Sequence, residues 1–93
     1  MCGIAGIVCH RVELGRRSTE AMVMAQRHRG PDDHGVEVVC EGDAVRMSVT
    51  FGSSRLAILD LSKAGHQPMH DTTTGNWIVQ NGEIYNFVEL RSE

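Results

Sequence analysis

Ninety-three residues, 41% hydrophobic but only 4% aromatic, describe one small domain or part of one. A chain this short buries roughly 60–65% of its unfolded surface, so its core is thin. A net charge of −3 with nine scattered basic residues argues against the clustered cationic face of a nucleic-acid binder. No run approaches the roughly 20 apolar residues that a membrane helix requires. Three cysteines without paired spacing fit a reducing, cytoplasmic setting better than a disulfide scaffold.

Taken in order, Gly3 to Val8 is a continuous apolar run with small residues, which predicts a strand covered on both faces. The run lacks a basic leader and is cut off by His10-Arg11, so it is no signal peptide. Ser18 or Thr19 is placed to cap a helix through about His28, with Ala21, Met22, Met24 and Ala25 as its apolar face. Arg29-Gly30-Pro31 stops that helix, and Asp32-Asp33 continues the turn. Val36, Val38 and Cys40 then alternate with Glu37, Glu41-Gly42-Asp43 turns the chain, and Val45, Met47, Val49 and Phe51 alternate with Arg46, Ser48 and Thr50. That is the period-2 pattern of an antiparallel pair. Gly52-Ser53-Ser54 leads into a further strand, Arg55 to Leu59. Residues 60–76 read as loop, with Gly65, Pro68 and Gly75 as breakers. Trp77 to Gln80 reads as strand, and Asn86 with Glu89 as the capping pair of a helix starting at Phe87. Cys9 and Cys40, lying in apolar runs, are expected to be buried and inert. Five strands and two helices make an α+β domain whose last helix stops in mid-pattern, so the chain reads as a portion of a longer domain.

The chemistry starts at the N-terminus. Once Met1 is clipped, Cys2 carries a thiol and a free α-amine on one residue, a nucleophile with its own base. A strand beginning at Cys2 would hold that thiol rigidly. By position alone, Cys2 reads as the first small residue of a strand, or as an acylation site that no myristoylation glycine or polybasic run supports. Arg55 opens a strand that is apolar on both sides, and needs either an anionic partner or an exit to solvent. It can snorkel or pair with Asp32 or Asp60, or grip a substrate carboxylate bidentately. Asn81-Gly82 is the preferred type I′ hairpin dipeptide, yet the Asn amide and the Gly N–H are also two donors for a developing oxyanion. Glu83 is an ordinary solvated charge or a receiver for a substrate ammonium. His28, His34, His66 and His70, with Asp32, Asp33 and Cys40, match no zinc-ligand spacing, so no metal is expected.

Together and in order, Met1-Cys2-Gly3-Ile4-Ala5-Gly6, His28-Arg29-Gly30-Pro31-Asp32-Asp33, Ser54 to Asp60, Gly65-His66-Gln67-Pro68-Met69 and Asn81 to Asn86 closely resemble the glutaminase domain of glutamine-hydrolysing asparagine synthetases. These are class II, N-terminal-nucleophile amidotransferases. The resemblance implies an αββα sandwich of antiparallel sheets, of which residues 1–93 are the N-terminal portion. It implies that Cys2 attacks the side-chain amide of glutamine, with Asn81 and Gly82 as oxyanion hole. Arg55 and Glu83 would hold the α-carboxylate and α-ammonium, and Leu56, Ala57, Ile58 and Leu59 would line the pocket. It implies a C-terminal synthetase domain as partner, with ATP and magnesium bound there and no cofactor in this chain. Family members carry a further substrate-binding aspartate beyond the Asn-Gly-Glu motif, so the 93 residues alone are expected to fall short of full activity. Two alternatives stand beside this: a non-catalytic binding or regulatory module, and the same glutaminase chemistry feeding another ammonia acceptor.

Overall fold

The computed structural model describes residues 2–40, 47–57 and 63–93. Strand β1 (Gly3–Cys9) is followed by helix α1 (Val12–Ala25), strand β2 (Asp33–Cys40) and strand β3 (Ser48–Arg55). A 3-10 turn (Lys63–Gly65) leads to the short strands β4 (Met69–His70) and β5 (Trp77–Ile78), then helix α2 (Phe87–Arg91). The architecture is α+β with antiparallel sheets: β1, β3 and β2 lie side by side in that order, and β4 pairs with β5 in a separate ribbon.

Helix α1 packs on one face of the three-stranded sheet, and the contact is built from small residues. Gly15, Thr19 and Val23 are its buried stripe, spaced at helical period. Beneath them lie Ser48, Thr50, Gly52 and Ser54 of β3, all buried. A Cβ on Gly52 would meet the Cγ2 atoms of Val23 at 2.5 Å and Thr19 at 2.8 Å. The helix therefore sits too close to the sheet for large side chains. The buried hydroxyls are accommodated by local acceptors: Ser54 Oγ donates to the Val23 carbonyl at 3.0 Å, Ser48 Oγ to Cys9 at 2.9 Å, and Thr19 Oγ1 to Gly15 at 2.8 Å.

Several sequence expectations are corrected by this packing. The apolar face of α1 is not Ala21-Met24-Ala25, which are exposed; of that set only Met22 turns inward. The helix starts six residues before Ser18, from an extended Arg11, and Thr19 lies inside it, bonded back to its preceding turn. Along β3 the faces are inverted: the polar Ser48 and Thr50 are buried against α1, while Val49 and Phe51 are half-buried on the other side. Gly52-Ser53-Ser54 is no connector but the tail of β3. That strand ends at Arg55, so the expected separate strand from Arg55 is absent at Leu56 and Ala57, while Ile58 and Leu59 lie outside the described residues. The turn expected at 41–43 also lies outside them. Strand β1 is covered on one face only, leaving Ile4 and Val8 43% and 61% exposed. Cys40 is exposed, not buried. Residues 69–70 form strand where loop was expected. Helix α2 begins at Phe87 as read, but Asn86 makes no side-chain capping bond.

Substituting Gly52→Ala should lower stability by about 1–3 kcal/mol, the range for overpacking a close contact, read as a lower urea midpoint with an unchanged denaturant slope.

Candidate active site

The antiparallel pairing of β1 with β3 sets Gly3 opposite Ser54. Extending that register by one residue at each end lays Cys2 beside the exit of β3. There the Leu56 N–H donates to Cys2 Sγ at 3.4 Å, and Sγ lies 3.8 Å from the Leu56 carbonyl. The thiol is partly buried and held against backbone, not trailing in solvent.

The turn after α1 locks this junction from the side. Arg29 Nε donates to the Cys2 carbonyl at 3.0 Å. Pro31 bridges to Arg55, the Asp32 N–H donates to the Arg55 carbonyl at 3.0 Å, and the Ala57 N–H donates to Asp32 Oδ2 at 2.8 Å. A Cβ on Gly30 would overlap the Ser54–Arg55 backbone, so only glycine lets the turn come this near. Asp32, read from the sequence as continuing the turn, is thus a staple between the turn and the strand end.

Arg55 is buried, 9% exposed. Asp33 stands opposite it in the β2–β3 register. Asp33 Oδ2 in turn accepts a hydrogen bond from His66 Nδ1 at 2.7 Å. Partial burial works to raise the Asp33 carboxyl. It is outweighed by the His66 hydrogen bond and charge, the His34 backbone N–H and the Arg55 charge, which together hold Asp33 below its ordinary value.

The structure therefore gathers Cys2, Arg55, Leu56 and Ala57 at one strand end. Ile58, Leu59 and Asp60 lie outside the described residues. Asn81, Gly82 and Glu83 lie on an exposed segment after β5, and among the described residues no hydrogen bond joins them to Cys2 or Arg55. That segment is not a type I′ hairpin turn, because neither Asn81 nor Gly82 has positive φ and the turn type requires it at both positions. It is tethered indirectly: the Gln80 N–H donates to Gln67 Oε1 at 2.7 Å, and Gly82 abuts the Gln80 side chain. Sequence reading missed the Arg29–Cys2 bond and the Asp33–His66 pair. The Arg-Gly-Pro-Asp turn was the available signal for the first. Among the described residues no three His, Cys, Asp or Glu side chains converge as metal ligands, and no helix is long and apolar enough to cross a membrane.

Comparison with known proteins bears directly on this junction. The family described as "Glutamine amidotransferase domain" matches residues 1–93. The chain belongs to that family. A Methanocaldococcus jannaschii protein carrying the name of a glutamine-hydrolysing asparagine synthetase is 38% identical over 107 aligned positions, covering 100% of this chain. Asparagine synthetase 1 of Bacillus subtilis is 35% identical and the amidase chyE of Penicillium rubens 31% identical, each again covering 100% of the chain. The chain spans only 20%, 14% and 15% of these three relatives. No solved structure matches it significantly.

Because the folded value of Asp33 is lowered, its stabilising contribution is fully present above the unfolded carboxyl value and fades as pH falls through the folded one. Asp33→Asn should therefore unfold at lower urea than the parent at neutral pH. The gap should close below the ordinary aspartate value of 3.8, measured as urea midpoints across pH.

Proposed function

We propose that this domain hydrolyses the side-chain amide of glutamine and supplies the ammonia to a synthetase domain for ATP-dependent synthesis of asparagine from aspartate. The observation that carries the proposal is the Cys2 thiol seated at the exit of the strand that ends in buried Arg55. With Met1 removed, the α-amine of Cys2 accepts the thiol proton and the sulfur attacks the amide carbon. The carbon–sulfur bond forms, the carbon–nitrogen bond breaks, and the proton passes to the departing nitrogen. Water then cleaves the γ-glutamyl thioester to give glutamate and restore the thiol. Glutamine is a zwitterion at its α-carbon, so a cation and an anion together orient it for attack. Arg55 takes the α-carboxylate and Glu83 the α-ammonium, while Asn81 and Gly82 supply donors to the oxyanion. Loss of one such donor typically costs about 10²–10³ in turnover.

On this reading Ile4 and Val8, exposed on the sheet face away from α1, belong to the interior of an αββα N-terminal-nucleophile sandwich. ATP and magnesium serve the synthetase part, and the three free cysteines fit a cytoplasmic setting. One relative favours a second reading. The amidase chyE does not carry the name of an asparagine synthetase, which supports the reading in which the same glutamine chemistry feeds another acceptor.

The test uses the protein expressed from its full coding sequence. Mass spectrometry should find Met1 absent, and diazo-oxonorleucine, an electrophilic glutamine analogue, should label Cys2 and spare Cys9 and Cys40. Cys2→Ala should lower glutaminase turnover by on the order of 10⁴-fold or more. Retention of Met1, or equal labelling of all three cysteines, would sink the proposal.

A further inference from the structure

The Asp33–His66 pair is not explained by the nucleophile or by the staple at Asp32. It joins β2 to the turn that closes over Arg55. A Cβ on Gly65 would overlap the Arg55 guanidinium, so residue 65 lies flat against that group. A Cβ on Gly35 would run into the Gln67 carbonyl and come within 2.8 Å of His66 Nε2, so the next two residues lie flat on β2. Residues 65–67 thus form a wall over the sheet face that carries Asp33, Ser53 and Arg55. A side-chain bond that fastens that wall to the sheet runs from His66 Nδ1 to Asp33 Oδ2, at 2.7 Å.

A guanidinium with four side-chain torsions loses considerable freedom when fixed, and its fork selects a carboxylate only when its plane is fixed. Backbone packed on one side and a carboxylate opposite on the neighbouring strand supply that restraint. Loosening the wall would weaken that restraint. We propose that His66, latched to Asp33, is a positioning residue for Arg55, and that Gly65 and His66 set the affinity of the site for the α-carboxylate of its substrate. The inference rests on the glutaminase reading above, because Arg55 must be the group that meets that carboxylate.

The latch acts on one end of the substrate and not on the reacting amide. Its loss should therefore raise the glutamine KM and spare kcat. It should also have no effect on 4-aminobutyramide, which keeps the amine and the side-chain amide of glutamine but has no carboxylate. A general loss of fold would lower turnover of both compounds together.

The experiment compares the parent protein, expressed from its full coding sequence, with His66→Ala, His66→Asn and Gly65→Ala on both compounds. His66→Ala should raise the glutamine KM by about tenfold, the equivalent of one charge-assisted hydrogen bond, and leave kcat within about twofold. His66→Asn, whose amide nitrogen can stand where Nδ1 stands, should recover most of that loss. Gly65→Ala keeps the latch but presses a methyl group on the guanidinium, and should raise KM in the same way. For all three variants kcat/KM for 4-aminobutyramide should match the parent. An unchanged glutamine KM in both His66→Ala and Gly65→Ala overturns the proposal, as does a parallel fall on both compounds. A parent protein that hydrolyses neither compound, and is not labelled by diazo-oxonorleucine, removes the glutaminase reading itself and the latch with it.

Discussion

The structure depends on one register. Because Gly3 pairs with Ser54 and each further pair follows in step down to Cys9 and Ser48, the residue before β1 and the residues after β3 meet at the same sheet end. In a strand the side chains alternate faces, so a slip of one residue would turn every side chain of β1 over. Cys2 would then lose its place beside Leu56, and Gly3, where a Cβ would collide with the Gln26 side chain at the end of α1, would no longer leave it room. The register is held along its length by the small-residue contact with α1. At its end it is held by the Arg29–Cys2 and Asp32–Ala57 hydrogen bonds. The position of the nucleophile is thus a consequence of sheet pairing, and the turn after α1 reinforces what the pairing sets.

The cost of bringing α1 so near the sheet is visible in what is buried. The innermost side chains are Val23, Thr19, Thr50, Ser48, Ser53 and Ser54, five of them hydroxyls. A hydroxyl taken from water without a partner loses free energy on the order of 1–3 kcal/mol. Ser48, Ser54 and Thr19 avoid that by bonding to nearby carbonyls. Thr50 Oγ1 and Ser53 Oγ find no partner among the described residues. What Thr19, Ser48, Thr50 and Ser54 contribute is close approach: they bring α1, and the turn it leads into, down onto the strand end.

This choice of small residues explains which parts of the fold were legible in the sequence. Strands β1 and β2, the existence of β3 and the start of α2 could be read because each carries a local pattern. The faces of β3 could not, because alternation was scored by hydrophobicity while the protein selected for size. Ser48, Thr50, Gly52 and Ser54 look like solvent-facing or turn residues, and lie inside because larger ones would not fit. The same bias placed the apolar stripe of α1 on its methionines instead of on Gly15, Thr19 and Val23. Ser18-Thr19 resembled a cap because hydroxyl residues bond local backbone equally well at a helix start or one turn inside.

The site divides along a similar line, between what one residue reveals and what only pairing reveals. That Arg55 needed an anionic partner or an exit to solvent followed from its place beside an apolar run, and the β2–β3 register sets Asp33 opposite it. The sequence named Asp32 and Asp60 as partners; Asp60 lies outside the described residues, and a turn after proline gives no phase for which of the adjacent Asp32 and Asp33 faces the sheet. The β2–β3 register supplies the phase: Asp33 is paired with Arg55 and so shares its face, while Asp32, one residue earlier, turns to the Ala57 N–H. His66 is separated from Asp33 by 33 positions, and no period or spacing connects them. Asp32 and Asp33 therefore do different work from adjacent positions. One fixes the backbone that follows Arg55, and the other stands opposite Arg55 on the neighbouring strand and bonds to His66 of the turn laid over it. A strand end built this way seats the thiol through Leu56 and Arg29 and packs a turn over the arginine through Gly65 and His66, two sets of contacts that share no side chain.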